Sequence, residues 1–153
     1  MKRNLFGNIS HPTNVSNKGE QYEIECESYL ASLYSCKIRR TSLSNDGGKD
    51  IIIYSPDGMI FVECKDWENT PVGRPTVQKL HSAVITEGAM KGMIMTTGTF
   101  SQDAYDYVKK YDLPIELIIY KPQDRTVVDF RKNKQEYENR PKGFFARLFT
   151  KKK

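Results

Sequence analysis

The chain has 153 residues and a mass of 17.7 kDa, which is enough for one compact domain and leaves little for a second. Its hydrophobic fraction of 38% excludes wholesale disorder, and no apolar run approaches the roughly 20 residues that a membrane-spanning helix needs. Residues 122–153 hold ten Lys or Arg against four Asp or Glu, so a basic tail of net charge +6 follows a body of net charge −1. Such a tail favours polyanionic partners.

The cysteines and the N-terminus indicate a cytoplasmic protein. Cys26, Cys36 and Cys64 show no CxxC spacing, which favours reduced thiols over a zinc site or a disulfide scaffold. No apolar stretch follows the basic residues at the N-terminus, so we expect no secretory signal.

Apolar periodicity predicts the first elements in chain order. Residues 1–17 have no sustained period and are expected to form a loose arm. The spacing of the apolar residues from Tyr22 to Leu33 predicts an amphipathic helix over about 20–34. Three strands follow, at 36–41, 50–54 and 59–65; a glycine-containing loop separates the first two, and a hairpin turn at 55–58 joins the last two.

The second half of the body alternates helices and strands. The pattern predicts a helix at 76–88, a strand at 93–97, a helix from the N-cap Ser101 to about 111, and a strand at 115–120. Weaker signals predict a strand at 126–130 and a short helix at 143–149. The resulting order, α-β-β-β-α-β-α-β, predicts an α/β fold with a mixed central sheet flanked by helices.

Charged residues cluster at one end of the predicted hairpin. Because strand side chains alternate, Glu63 and Lys65 share a face that Cys64 does not. The hairpin turn pairs residue i with about 113 − i, which sets Asp50 against Glu63 to within one or two residues. Two carboxylates and an ammonium at one site suit Mg²⁺ and phosphodiester hydrolysis. The competing interpretation is a solvated strand face with a cross-strand ion pair.

A linked set of motifs carries a resemblance to a known family. Gly19 with Tyr22-Glu23 comes first, followed by DGGKD at 46–50, ECK at 63–65, PVG at 71–73, and GMIMTTG at 92–98 with Phe100-Ser101. Over roughly residues 18–121 this set resembles the catalytic domain of Mrr-type restriction endonucleases, in the PD-(D/E)XK nuclease superfamily. The resemblance implies a restriction-endonuclease-like core, although Lys49 stands where the superfamily name has proline.

The resemblance also implies a set of site residues. Asp50 and Glu63 would bind Mg²⁺, or Mn²⁺ in its place, together with the carbonyl of Cys64, and Lys65 would be the catalytic lysine. The family's acidic residue on the first helix aligns best with Glu23. Glu27 is the fallback for that role, and Glu25 faces elsewhere on the helix.

Residues around this constellation have two interpretations each. Arg74, Gln78 and Lys79, at the start of the second predicted helix, could bind nucleic acid, because a helix N-terminus favours phosphate, or could be ordinary surface residues. Trp67 could stack on a base or sugar, but we expect it to anchor its loop instead.

The predicted organisation is an arm at 1–17, a nuclease domain at 18–121 and a basic tail at 122–153. The tail carries a short amphipathic segment whose apolar side chains are Phe144, Phe145, Leu148 and Phe149. We expect this segment to dock on the domain or a partner, and its short length argues against stable membrane binding alone.

These observations predict a metal-dependent DNA endonuclease, and the resemblance implies that it leaves a 5′-phosphate. A double-strand break would need two copies, so a homodimer on DNA is expected. Mrr-type restriction enzymes usually carry a separate DNA-recognition domain, for which the 17-residue arm is too short and the 32-residue tail is marginal. Structure-specific cutting, weak non-specific nicking and targeting by a partner protein therefore fit better than recognition of modified bases. The alternatives are a junction-resolving or repair nuclease of the same fold, a non-catalytic module that binds nucleic acid or a partner, and a membrane-associated adaptor.

Overall fold

The fold is a six-stranded mixed sheet with helices on both faces, seen in a computed structural model that describes residues 18–41, 48–122 and 126–129. The elements in chain order are α1 Lys18–Leu33, β1 Lys37–Arg40, β2 Ile51–Ser55, β3 Gly58–Lys65, α2 Arg74–Glu87, β4 Lys91–Thr96, α3 Gln102–Lys110, β5 Ile115–Lys121 and β6 Thr126–Asp129. The predicted α/β class and element order are confirmed. In these three segments, no helix has both the length and the apolar character that crossing a bilayer requires.

The strands lie in the sheet in their sequence order, from β1 to β6. The first three pair antiparallel as a meander, β3, β4 and β5 pair in parallel, and β6 returns antiparallel to β5. Parallel neighbours need a crossover connection, and α2 and α3 supply the two crossovers. As a result, the start of β2 lies next to the end of β3 and the end of β4, at one end of the strands.

Each face of the sheet is covered by its own helices. On one face, Val77, Leu80 and Val84 of α2 pack with α3 residues against Phe61 and its neighbours. On the other face, Tyr22, Cys26 and Leu30 of α1 pack against the other side of β2 and β3. The spacing of these three α1 residues is the period that predicted the helix.

Local signals explain the ends of the later helices. Helix α2 begins at Arg74, two residues before the predicted start, because Pro75 fits the first helical turn, where its missing N–H costs nothing. Helix α3 begins after Ser101, whose side chain accepts a hydrogen bond from the Ala104 amide, as predicted. The Phe100 ring packs edge-on against Tyr105, with 5.8 Å between ring centres.

The chain outside the nuclease-like body is only partly described. Strand β6 lies where the tail was predicted to form a strand. The predicted arm at 1–17 and the short helix at 143–149 lie outside the described residues, and the domain boundaries at 17 and 121 stay predictions.

Candidate active site

The hairpin brings Asp50, just before β2, opposite Glu63 near the end of β3. Ile51 pairs with Val62, and the Asp50 amide donates a hydrogen bond of 2.7 Å to the Val62 carbonyl. The Asp50 Oδ2 atom in turn accepts one of 2.6 Å from the Cys64 amide. The predicted hairpin register, i with 113 − i, is therefore confirmed, and the Asp50 side chain is held against the end of β3.

Glu63 is buried, and one of its oxygens has no partner. Its side chain shares a face with Lys65 and forms an ion pair with the Lys65 ammonium through Oε1. The residue is only 4% exposed, yet Oε2 has no hydrogen-bond partner. Cys64 lies on the opposite face, packed with Tyr22 and Cys26. A buried carboxylate oxygen without a donor is costly and calls for a physical explanation.

The electrostatics of the site are dominated by burial and by the neighbouring carboxylate. Burial raises the pKa of Glu63, Asp50 raises it further, and the hydrogen bond and charge of Lys65 oppose this only in part. For Lys65, burial lowers the pKa, but the hydrogen bond and charge of Glu63 outweigh it, so the pKa lies above its ordinary value. Lys65 is therefore a cation at neutral pH when no metal is bound.

Helix α1 contributes Glu23 to the same cluster. Burial and then the charge of Asp50 raise the pKa of Glu23 to about 6, while Arg40 opposes the shift. The fallback residue, Glu27, instead receives a 2.8 Å hydrogen bond from Arg40. Glu25 lines a separate cavity of about 360 Å³ beside Asp66. Of the three candidate acids on α1, the structure thus brings Glu23 under the influence of Asp50.

Helix α2 places one of its predicted nucleic-acid-binding residues near the carboxylates. Lys79 packs on Gly48, where an added Cβ would lie 2.7 Å from the Lys79 Cε, and its charge lowers the pKa of Glu63. Arg74 lies farther along, over the Tyr107 ring at 4.4 Å and 3.7 Å from Asp103. Gln78 is exposed.

One part of the site's framework escaped sequence analysis. Lys49, directly before Asp50, is 7% exposed and donates a 2.6 Å hydrogen bond to Glu87 near the end of α2. Its ammonium also lies 4.7 Å from the centre of the Phe61 ring. Lys49 and Glu87 are 38 residues apart, and no spacing rule links them. Their contact ties the segment that carries Asp50 to α2.

The loop after Lys65 is held by the end of β4. The Thr97 amide donates to the Lys65 carbonyl at 3.3 Å, and the Thr97 hydroxyl donates to Asp66 at 2.8 Å. A Cβ at Gly98 would lie 1.9 Å from the Trp67 carbonyl oxygen, so only glycine permits this approach. The Trp67 ring itself is 41% exposed. Trp67 thus holds this loop through its backbone carbonyl, and an anchoring role of its indole stays a prediction.

The oxygen ligands available here fit a hard divalent cation that takes few of its ligands from the protein. Asp50 and the unpartnered oxygen of Glu63 offer two carboxylates, and Mg²⁺ typically takes one or two and keeps several waters. Across residues 18–41 and 48–122, no cluster of three or more His, Cys, Asp and Glu side chains is arranged to hold a metal. The arrangement suits an open site that shares its ion with a substrate.

Comparisons with known proteins agree on one family and one fold. The family model of the Mrr catalytic domain, described as restriction endonuclease, matches residues 16–122. The chain is 33% identical over 79 residues to the type IV methyl-directed restriction enzyme EcoKMrr of Escherichia coli (strain K12), an alignment covering 49% of this chain and 25% of that protein. The chain thus spans about a quarter of the length of this curated relative.

Two solved structures are similar in fold. One is the MspJI restriction endonuclease in complex with a 27-mer oligonucleotide, with a TM-score of 0.51 and 18% identity over 64% of this chain and 25% of that one. The other is the DNA modification-dependent restriction endonuclease AspBHI, with a TM-score of 0.52 and 24% identity over 70% of this chain and 30% of that one. At these identities the likeness shows the fold alone.

Proposed function

The chain belongs to the restriction endonuclease family defined by the Mrr catalytic domain, and on that premise we propose that it is a Mg²⁺-dependent endonuclease that hydrolyses DNA phosphodiester bonds. The observation that carries this proposal is the buried Glu63 oxygen that has no partner and lies beside a second carboxylate and Lys65. Buried polar atoms in folded proteins nearly always have a hydrogen-bond partner, so this oxygen supports a ligand at the site over a purely structural ion pair.

In this proposal the chain's own groups divide the work at the scissile phosphate. Asp50, Glu63 and the Cys64 carbonyl would hold Mg²⁺, and Mn²⁺ could replace it. When bound, the ion supplies positive charge at the phosphate and acidifies a water molecule. Lys65 donates hydrogen bonds that orient the attacking water or neutralise the phosphate. Glu23, which lies close enough to Asp50 for the two charges to interact, would accept a hydrogen bond from the hydration shell of the ion.

DNA is the proposed partner, and three residues in the first half of α2 are its proposed contacts. Lys79, whose charge lowers the pKa of Glu63, would contact the phosphate next to the scissile one, and Arg74 and Gln78 would contact DNA nearer the start of α2. The basic tail would add attraction that weakens with salt. One active site cuts one strand, so a double-strand break would need a homodimer or a pair of copies on DNA, and a partner protein could direct the chain to its target.

The experiment that tests this proposal is cleavage of supercoiled plasmid DNA with Mg²⁺ or Mn²⁺, with EDTA as a blank. We expect Asp50→Asn and Lys65→Ala to lower the nicking rate by at least about 100-fold, the usual minimum contribution of a positioned acid–base group. Asn at position 50 keeps an acceptor for the Cys64 amide, so this variant should fold.

Asp57→Asn is the matched control, because Asp57 lies in the turn at the other end of the same hairpin. It should cleave at the parental rate. Equal cleavage by all variants would refute the assignment of the site. Binding of DNA without metal-dependent cleavage by any of them would favour the non-catalytic binding module instead.

A further inference from the structure

The chain's single tryptophan lies exposed beside the proposed catalytic lysine. Trp67 follows Lys65 by two residues, and the Lys65 ammonium is 5.5 Å from the centre of its ring. The ring is 41% exposed, although tryptophan is on average highly buried in folded proteins. An aromatic surface of this size next to a phosphate-directed cation is a feature that the hydrolysis of a phosphodiester does not itself require.

The backbone that carries the indole is fixed. The segment from Lys65 to Trp67 is tied to the end of β4 by the two hydrogen bonds of Thr97 and by the close approach of Gly98 to the Trp67 carbonyl. These contacts hold the backbone at Trp67 in place, while 41% of the residue's surface stays open to a ligand. A fixed aromatic surface binds a planar partner at lower entropic cost than one on a loose loop.

The chemistry of DNA limits what can lie on such a ring. Within a continuous duplex each base face is covered by its neighbours, so an indole outside the helix can stack only on a base that is unpaired or splayed out. Stacking of this kind tolerates any base, because every base has a π-face. The neighbouring ammonium would hold the phosphate of the same strand.

We infer that Trp67 is a stacking platform for an unpaired nucleobase adjacent to the scissile phosphate, so the preferred substrate class is DNA with single-stranded or splayed nucleotides. This inference rests on the proposed function and narrows it to branched, flapped or unpaired DNA. The competing explanation is that the ring only shields Lys65 or contacts the sugar of an intact duplex.

The first measurement uses the fluorescence of the single tryptophan. In the cleavage-deficient Asp50→Asn chain, excited at the red edge of the indole band, a short oligodeoxythymidylate should quench emission and a blunt duplex of equal length should quench it much less. Equal quenching by both probes, or none by the single strand, would overturn the inference.

The second measurement compares cleavage of a forked DNA and a matched blunt duplex. Trp67→Ala should lower kcat/KM on the fork by about 5- to 150-fold, the loss expected for one base stacked on an aromatic ring. Its duplex rate should fall less, so the fork-to-duplex ratio falls. Trp67→Phe should keep most of the ratio, because phenylalanine retains a smaller π-face.

Tyr111→Ala is the matched control. Tyr111 is 55% exposed and has the Lys110 ammonium 5.1 Å from its ring centre. It directly follows α3, at the end of the strands opposite to the proposed site. It should leave both rates unchanged. If Trp67→Ala lowers both rates equally, the ring merely supports Lys65 and the inference is wrong while the nuclease stands. If the parent chain cuts neither substrate, the proposed function itself fails.

Discussion

Replacing the buried Glu63 by glutamine should stabilise the metal-free protein. Glutamine keeps an oxygen for the Lys65 ammonium and replaces the unpartnered Oε2 atom by an amide that repels nothing and can donate. Because the pKa of Glu63 is raised even with Lys65 in contact, the ionised carboxylate is a net cost to the fold at neutral and alkaline pH.

The size of the effect follows from the balance of two contacts. Removing the charge relieves both the unsatisfied buried acceptor, which costs about 1–3 kcal/mol, and the repulsion by Asp50, whereas weakening the charge-assisted bond from Lys65 costs about 1.5–3 kcal/mol. A net gain of about 1 kcal/mol corresponds to a rise in Tm of about 2–4 °C for a chain of this size. The assay is thermal unfolding in EDTA at mildly alkaline pH, followed by circular dichroism.

Glu116→Gln is the matched control, because Glu116 lies in the same sheet on β5, which β4 separates from β3. Glu116 is 8% exposed and accepts a 2.7 Å hydrogen bond from Lys91, so its charge is compensated within the chain. Losing that charge-assisted bond should cost about 1.5–3 kcal/mol and lower the Tm. Mg²⁺ should raise the Tm of the parent but not of Glu63→Gln. If both variants lose stability, Lys65 already satisfies Glu63 and the cation argument fails.

Two further predictions concern the edges of the site. The pKa of Glu23 is raised from 4.5 to about 6, so protonated Glu23 favours the folded state. Its contribution to the free energy of unfolding is fully present below pH 4.5 and is lost as pH rises through about 6 in EDTA. Glu23→Gln should remove that part of the pH dependence in denaturant unfolding and match the parent below pH 4.5; an unchanged profile would contradict the placement of Glu23. Gly98→Ala, whose Cβ would lie 1.9 Å from the Trp67 carbonyl, should cost about 3 kcal/mol, whereas Gly73→Ala, 3.4 Å from Pro75 Cδ, should cost within about 1 kcal/mol by the same assay. Equal losses would mean that the loop after Lys65 yields easily.

Local patterns were enough to predict the hairpin half of the site. A two-residue turn at Pro56 and Asp57 determines which residues of β2 and β3 pair, and strand alternation then places Glu63 and Lys65 on one face. The spacing of Tyr22 and its apolar neighbours determines which side of α1 faces the sheet, and so which side Glu23 occupies.

Contacts between distant segments could not be predicted in this way. The hydrogen bond from Lys49 to Glu87 and the approach of Gly98 to Trp67 depend on how α2 and β4 pack after the chain has folded. The engagement of Arg74 by Tyr107 and Asp103 depends on the packing of α3 against α2. Each joins residues that share no period, turn or motif, so the sequence offers no spacing from which to infer them.

The two buried glutamates of the described sheet, Glu63 and Glu116, show how a structural ion pair differs from a site that would bind a ligand. Glu116 and Lys91 form an ion pair on adjacent parallel strands, with 2.7 Å between the ammonium and the carboxylate oxygen. Glu63 also has a lysine, yet it faces Asp50 across the hairpin and leaves an oxygen buried without a donor. If position 63 contributed only to stability, a neutral side chain there would make the folded protein more stable. The cost at Glu63 supports the proposal that a divalent cation and a phosphate would complete this group.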